Sequence, residues 1–161
     1  MANTQNFSVS RTNNFNHREE DRVRHYEDAF NMLCGKFIGQ GIHRKVFECK
    51  IRPDLVVKVE SDDNRSFANI FEMQFWDANQ HYKEINKWLA PCEYLSPDGM
   101  ILLQRKCSPV PFDYKLPAKL PEFLTDCKRD NFGIMDGKLV SVDYASTIIN
   151  PSAKLKKADW F

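Results

Sequence analysis

Three short β-prone runs that lie close together in the sequence constrain the fold of this chain most. The runs, each containing Val, Ile or Phe, are residues 37–38, 46–51 and 55–59. The Pro53-Asp54 pair is typical of a turn and would join the second run to the third. Residues 39–45 would join the first run to the second. The sequence therefore predicts a three-stranded antiparallel meander.

An amphipathic helix and a second pair of strands are predicted next. Polar residues 61–66 suit a helix N-cap, and Pro91 would end the helix. Between them, apolar residues recur with helical spacing at Phe67, Ile70, Phe71, Ala78, Tyr82, Ile85 and Leu89. Strands at residues 93–95 and 100–104 then flank a Ser-Pro-Asp-Gly turn. With the meander, these elements predict an α+β fold that has a five-stranded antiparallel sheet and one long helix.

The Asp136-Gly137 pair is the strongest hairpin signal in the chain, because this dipeptide favours a two-residue turn. It lies between the apolar runs 132–135 and 138–142, which we predict to be paired strands. A linker with several prolines, residues 108–121, precedes the hairpin. A short helical turn is predicted near residues 120–124.

The two ends of the chain are polar. Residues 1–17 cannot bury enough apolar surface to offset their ordering entropy, so we predict a disordered leader. Residues 17–33 show helical spacing of apolar side chains, and Gly35 would end that helix. The basic tail after Pro151 carries no interpretable signal.

The composition excludes several classes of partner. With 23 basic and 22 acidic residues, the net charge of +1 gives no electrostatic case for binding nucleic acid or a membrane surface. The five cysteines, an odd number without C-x-x-C spacing, indicate neither a disulfide framework nor a zinc site. No signal-peptide segment or membrane span is evident. We therefore expect one soluble domain in a reducing cytoplasm.

Each motif with chemical potential is ordinary when taken alone. A Gly39-x-Gly41 loop is more often a plain β-turn than a phosphate-binding loop. Lys58 would usually be a solvated strand residue, and Glu72 a solvent-facing helix residue. His43 lacks a nearby second metal ligand and Cys127 lacks a nearby histidine base, so neither a metal site nor a catalytic thiol is favoured there.

The order and spacing of these motifs, however, resemble those of the protein-kinase-like superfamily. A glycine loop between two strands, a lysine on the third strand and a glutamate on the next helix are the arrangement of a kinase N-terminal lobe. Asp126 precedes Asn131 by five positions, similar to the D-x-x-x-x-N part of the catalytic loop. Asp143-Tyr144-Ala145 follows the predicted hairpin and resembles the D-F-G element. The resemblance covers roughly residues 37–145.

This resemblance implies a site for ATP and Mg²⁺. The glycine loop, the lysine with its glutamate partner and the hinge after the fifth strand would bind the nucleotide, through Gly39, Gln40, Gly41, Ile42, Val46, Lys58, Glu72, Leu103, Gln104, Arg105 and Lys106. Asn131 and Asp143 would ligate magnesium. Asp126 would be the catalytic base, and Lys128 would neutralise the transferring phosphoryl group. Such a set suits phosphoryl transfer, in which positioning and charge neutralisation provide most of the catalysis.

The C-terminal lobe implied by the resemblance is strongly reduced. Only 18 residues follow Asp143, so the usual activation segment and later helices have no sequence to form from. Arg44 stands in the place of a third glycine, and Leu124-Thr125 in that of the usual His-Arg pair. This reduction of the C-terminal lobe resembles that of compact bacteriophage and bacterial kinases. It implies one minimal kinase-like domain over residues 18–161, divided into an N-lobe (18–106) and a C-lobe (107–161), in the host cytoplasm if the source is a phage.

Two functions of different classes follow from the resemblance. The favoured one is a minimal serine/threonine protein kinase. Lys128 lies two places after Asp126, and a lysine at this position resembles the catalytic loop of such kinases. The alternative is a catalytically inactive kinase-like module that binds and sequesters a cellular protein, because the C-lobe is so short. A small-molecule kinase of the aminoglycoside type is disfavoured, since such enzymes build the substrate pocket from a large C-lobe. Apolar surface left by the missing lobe could be covered by a second copy of the chain.

Overall fold

The computed structural model describes residues 24–25, 27–61, 65–147 and 151–161. The chain divides into two compact units, Met1–Leu33 and Cys34–Phe161. In the first unit, residues 24–25 and 27–33 are helical, within the helix predicted for residues 17–33. The predicted leader and the beginning of that helix lie outside the described residues.

The second unit contains the predicted five-stranded antiparallel sheet, which confirms the α+β class. Its strands are β1 (Cys34–Gln40), β2 (Arg44–Cys49), β3 (Leu55–Glu60), β4 (Cys92–Leu95) and β5 (Ile101–Arg105). They lie in the order β1-β2-β3-β5-β4. All neighbouring pairs are antiparallel. The central strand β3 is buried on both faces, so its lysine, Lys58, is only 4% exposed.

The prediction of one long helix over residues 67–89 is wrong. The structure has a helix α1 (Ala68–Asn79), a turn, and a short helix α2 (Lys83–Asn86). The side-chain amide of Asn86 donates to the backbone carbonyl of Gln80 at 2.6 Å, which fixes the turn between the two helices. The extended backbone at Tyr82 (φ −95°, ψ 98°) breaks the helical path.

The predicted apolar face of this helix is wrong in its first part, whereas Ile85 and Leu89 are buried as predicted. Phe67, Phe71 and Tyr82 are 47%, 51% and 62% exposed. The buried face of α1 instead includes the polar side chains Asn69 and Glu72, both fully buried. Since α1 packs against a strand that carries a buried lysine, polarity on this face compensates charge, and apolar periodicity does not reveal it.

The rest of the unit, where the structure describes it, contains short strands, a 3₁₀ turn and irregular segments. The strands are β6 (Ser108–Pro109), β7 (Lys119–Pro121), β8 (Phe132–Met135), β9 (Lys138–Ser141) and β10 (Leu155–Lys157). The β8–β9 hairpin confirms the prediction, with Met135 paired to Lys138. Asp136 and Gly137 have positive φ angles of 50° and 74°, as this tight turn requires.

The predicted helical turn near residues 120–124 is wrong. Residues 119–121 form strand β7, which pairs with the tail strand β10 in an antiparallel ladder. Leu124 then closes a simple turn, its N–H lying 3.0 Å from the Pro121 carbonyl oxygen. Leu120 is fully buried, and pairing with the tail satisfies backbone groups at this edge.

A hydrophobic core connects the sheet, both helices and the hairpin. Its members include Phe75, Leu89, Leu102, Phe123, Phe132, Leu139 and Tyr144. The backbone of Ser141 at the end of β9 exchanges hydrogen bonds with the chain after α2, accepting from Ala90 at 2.9 Å and donating to Trp88 at 2.7 Å. This places the residues after β9 beside the central strand β3. Within the described residues, no helix is long and apolar enough to cross a membrane.

Candidate functional site

Four charged side chains converge on the inner side of the sheet, and we call Arg44, Lys58, Glu72 and Asp143 the buried charge cluster. Lys58 Nζ lies 2.6 Å from Glu72 Oε1, and Arg44 Nη1 lies 2.5 Å from Glu72 Oε2. Arg44 Nη2 lies 2.7 Å from Asp143 Oδ1. Lys58 Nζ also donates to the backbone carbonyl of Val142. Two cations and two carboxylates thus balance one another formally.

Each member of the buried charge cluster comes from a different part of the fold. Arg44 begins β2, Lys58 lies on β3, Glu72 on α1, and Asp143 follows β9. The sequence brings them together because β2 and β3 are neighbours, α1 packs on the sheet, and the backbone of Ser141 fixes the end of β9.

One neutral amide contacts the fully buried Glu72, and a second one contacts its partner Arg44. Gln104 Nε2 donates to Glu72 Oε1 at 2.7 Å. Asn69 Oδ1 accepts from Arg44 at 3.3 Å, and Asn69 Nδ2 donates to the Met100 carbonyl at 2.9 Å. Burying a carboxylate is costly unless such donors replace its water shell. Glu72 is therefore the anchor of the arrangement.

Asp143 is the open side of the buried charge cluster. Its side chain is 49% exposed, whereas those of Arg44 and Glu72 are 7% and 0% exposed. Partial burial disfavours the charged carboxylate, but the charges of Arg44 and Lys58 outweigh this and lower the pKa of Asp143 below its ordinary value. A ligand approaching from solvent would reach this carboxylate first.

Tyr144 anchors the segment that carries Asp143. Its hydroxyl donates to the Ala90 carbonyl at 2.7 Å and lies 3.0 Å from Cys92 Sγ. Burial raises the pKa of the Tyr144 hydroxyl well above its ordinary value and that of the Cys92 thiol to about 12. Both groups therefore stay neutral, and the hydrogen bonds of Tyr144 hold the backbone next to Asp143 in place.

The Asp126–Asn131 segment approaches the same strand end. Residues 129–131 form a 3₁₀ turn, and Asn131 Nδ2 lies 3.4 Å from the Asp126 carbonyl oxygen. Val142 N–H donates to the Asn131 carbonyl at 2.8 Å, so Asn131 lies beside the residues that lead to Asp143. The Asp126 side chain is exposed. Lys128 is directed elsewhere, with Nζ 5.9 Å from the centre of the Phe161 ring.

A scan against models of known protein families finds no match for this chain. A search of curated proteins finds no significant match. The function of the site is therefore inferred from its geometry.

The two glycines of the glycine loop have open space beside their backbone. Residues 41–43 connect β1 and β2, and the Gly41 N–H donates to the Arg44 carbonyl at 2.9 Å. A Cβ added at Gly39 or at Gly41 would meet no atom within 4 Å. Ile42 at the tip is 87% exposed, and Val46 is partly buried in β2. A ligand could approach this backbone without steric conflict from side chains of the loop.

Arg44 is the site residue whose role sequence reasoning missed. The resemblance assigns a glycine to this position, yet the side chain turns inward and is buried. The one available signal was an arginine at the third glycine place of the loop. Gln104 was predicted to bind the nucleotide at the hinge, yet its buried side chain contacts Glu72.

The predicted hinge is partly occupied by contacts within the protein. Arg105 N–H donates to the Pro91 carbonyl at 2.8 Å, and Lys106 N–H donates to the Asp54 carbonyl at 2.8 Å. Leu103 is paired with Val57 inside the sheet. The structure therefore does not leave the N–H groups of Arg105 and Lys106 free for a nucleotide base.

Asp143 and Asn131 are the magnesium ligands that the resemblance implies. Magnesium usually takes one or two protein carboxylates or amides and completes its shell with phosphates and waters. Asp143 and Asn131 supply donors of that type. Among the described residues, no group of three His, Cys, Asp or Glu side chains could hold a metal alone. Asp143 Oδ1 is, moreover, already engaged by Arg44 at 2.7 Å.

Proposed function

We propose that residues 34–161 form a minimal kinase-like domain that binds ATP with magnesium and transfers a phosphoryl group to a protein serine or threonine hydroxyl. The observation that carries this proposal is the buried ion pair between Lys58 and Glu72, 2.6 Å apart and adjacent to the segment ending in Asp143. The pair resembles the lysine, glutamate and aspartate arrangement that kinases use for phosphoryl transfer, and this resemblance supports the proposal.

Each residue then has a definite task. Lys58, held by Glu72, would contact the phosphates, and Asp143 with Asn131 would hold magnesium, which neutralises phosphate charge. Asp126, whose side chain is exposed, would accept the hydroxyl proton as the oxygen bonds to the γ-phosphorus and ADP leaves. Lys128 would have to turn from Phe161 to reach the transferring group.

The energetics of burial support a functional role for the cluster. Replacing a buried ion pair by apolar residues of similar size is often neutral or stabilising, so stability alone does not explain why charges occupy the interior. Perturbed ionisable groups beside an open surface are typical of functional sites. The half-exposed Asp143, beside the fully buried Glu72, has that character.

A thermal-shift titration tests the nucleotide site. We expect ATP with magnesium to raise the melting temperature of the wild-type protein, since a native-state ligand at a hundredfold excess over Kd adds about 2.7 kcal/mol of stability. Asp143→Asn should abolish the magnesium-dependent part. Asp136→Asn, in the nearby hairpin turn, is the matched control and should respond as wild type does.

Transfer of labelled phosphate to a protein substrate tests the catalytic proposal. We expect Asp126→Asn and Asp143→Asn each to lose transfer by at least about a hundredfold, as expected when a general base or a charge-stabilising group is removed. Unchanged transfer in both variants would exclude this function.

A second function, a non-catalytic kinase-like module that sequesters a cellular protein, is favoured by two observations. Arg44 engages the proposed metal ligand Asp143, and two amides of the predicted hinge are bonded within the protein. This function predicts a stoichiometric complex that survives Asp126→Asn, with no thermal shift from ATP. Affinity capture with wild-type and Asp126→Asn baits, compared side by side, separates it from a kinase whose substrate contacts are transient.

A further inference from the structure

Arg44 engages one carboxylate oxygen of Asp143, the candidate metal ligand, at 2.7 Å. We propose that Arg44 is a built-in cation that competes with magnesium for Asp143 and thereby weakens metal binding at this site. The inference rests on the proposed function in that Asp143 is taken as the metal ligand. It concerns how the site is regulated.

The geometry makes the two cations competitors. Arg44 Nη2 lies 2.7 Å from Asp143 Oδ1, the distance of a direct charge-assisted hydrogen bond. Magnesium binds carboxylate oxygens at about 2.0–2.1 Å. An ion on Oδ1 would therefore lie within a few ångströms of the guanidinium group, and like charges at that separation repel strongly where water is scarce.

The charge balance points the same way. With Arg44 in place, the four side chains of the buried charge cluster have no net formal charge. Without Arg44, Lys58 would face two carboxylates, and the remaining net charge of one negative unit would attract a divalent cation. Arg44 thus occupies the Oδ1 atom of Asp143 and also neutralises the negative charge that would attract a metal ion.

The contact with Asp143 is the one that can open. Arg44 Nη1 is fixed by Glu72, which is fully buried, and by Asn69 at 3.3 Å. Asp143 is 49% exposed, so water or a ligand reaches it directly. A bound polyphosphate would supply negative charge to Arg44 and free Asp143 for the metal. The site would then take metal together with nucleotide rather than before it.

Binding of Mn²⁺ alone, followed by the loss of the free-ion signal in electron paramagnetic resonance, tests the competition without nucleotide. We expect Arg44→Met to bind Mn²⁺ at least tenfold more tightly than wild type. The double variant Arg44→Met with Asp143→Asn should return to the wild-type level. Lys45→Met, an exposed neighbour on the same strand, is the matched control and should behave as wild type. Arg44→Gln, which keeps a donor for Glu72, replaces Arg44→Met if that variant does not fold.

Equal Mn²⁺ affinity in wild type and the folded Arg44 variant would overturn the proposal, as would a gain that persists when Asp143 is also replaced. If the Arg44–Asp143 ion pair is purely structural, Arg44→Met and Asp143→Asn should each lower the melting temperature, and neither should change the affinity for Mn²⁺. The proposed function fails separately: if ATP shifts neither protein, nucleotide binding is excluded, whatever the Mn²⁺ result. If ATP and magnesium stabilise wild type but Arg44→Met does not alter Mn²⁺ affinity, only the competition is excluded.

Discussion

Two clusters of similar charge composition lie in this unit and differ mainly in burial. The buried charge cluster contains two cations and two carboxylates, and one of the carboxylates, Glu72, is fully buried. A second set, the exposed charge cluster, also has two cations and two carboxylates: Arg52, Asp54, Glu93 and Arg105. Its contacts of 2.8 to 3.7 Å are longer than the 2.5 to 2.7 Å of the buried charge cluster, and its side chains are 32% to 49% exposed.

The difference shows that burial, rather than pairing, determines how much a charge affects stability. Ion pairs in water contribute little, because solvation and side-chain entropy offset the attraction. Buried charges depend on every partner, because none of the lost hydration is recovered elsewhere. A cluster held inside the protein at such cost, with one half-exposed carboxylate, is a better candidate site than a surface cluster of the same charge composition.

The largest expected difference between the clusters concerns removal of one carboxylate from each. Glu72→Gln leaves Arg44 and Lys58 facing a neutral amide in the interior, so we expect a loss of about 3 to 5 kcal/mol in the free energy of unfolding. Glu93→Gln, the matched change in the exposed charge cluster, should cost at most about 1 kcal/mol. Denaturant unfolding of both variants measures this, and equal losses would remove the distinction between the clusters.

A smaller effect is expected from the neutral partner of the buried charge cluster. Gln104→Met removes the donor 2.7 Å from Glu72 Oε1. It also removes the Gln104 Oε1 acceptor, which is buried without a partner among the described residues, so the net cost should be about 1 to 2 kcal/mol. Lys106→Met breaks the exposed pair with Glu48 and is the comparison, with no measurable change expected in the denaturation midpoint. If Gln104→Met were equally silent, the amide would not support Glu72.

Salt should separate the two clusters further. At 1 M ionic strength the Debye length falls to about 3 Å, which screens exposed charges but leaves buried ones largely unaffected. The cost of Glu93→Gln should therefore vanish in 1 M NaCl, while that of Glu72→Gln should persist. Repeating the denaturant measurements at 0.05 and 1 M NaCl provides the comparison. A salt-sensitive Glu72→Gln effect would indicate that water reaches the interior of the buried charge cluster.

Much of the sheet could be predicted from the sequence, because its signals are local. The β-prone runs before residue 60 and the Asp136-Gly137 turn each specify their own structure over a few neighbouring residues. The contact between Lys58 and Glu72 followed from the order of motifs in the kinase resemblance. Neither residue carries a local signal for burial.

The errors lie where a distant partner decides the outcome. The apolar spacing around Phe67 and Phe71 predicted the buried face of α1, but Glu72 and Asn69 are buried there instead. Glu72 pairs with Lys58, and Asn69 contacts Arg44. Strand β7 depends on a tail segment about 35 residues later in the chain, and no local pattern announces that pairing. The inward turn of Arg44 brings it to two distant carboxylates, Glu72 28 residues away and Asp143 99 residues away.

The smallest expected effect concerns acid and the exposed charge cluster. A hydrogen bond from Arg52 lowers the pKa of Asp54 from 3.8 to about 2. Since the folded-state pKa lies below the ordinary value, the pair adds stability above about pH 4, and this contribution is lost as pH falls through about 2. We expect Arg52→Gln to bring the Asp54 pKa back toward 3.8 in a carboxyl NMR titration, with 1 M NaCl producing part of the same change. If neither Arg52→Gln nor 1 M NaCl changed the Asp54 pKa, the exposed charge cluster would be shielded from solvent as the buried one is. The contrast between the two clusters would then lose its physical basis.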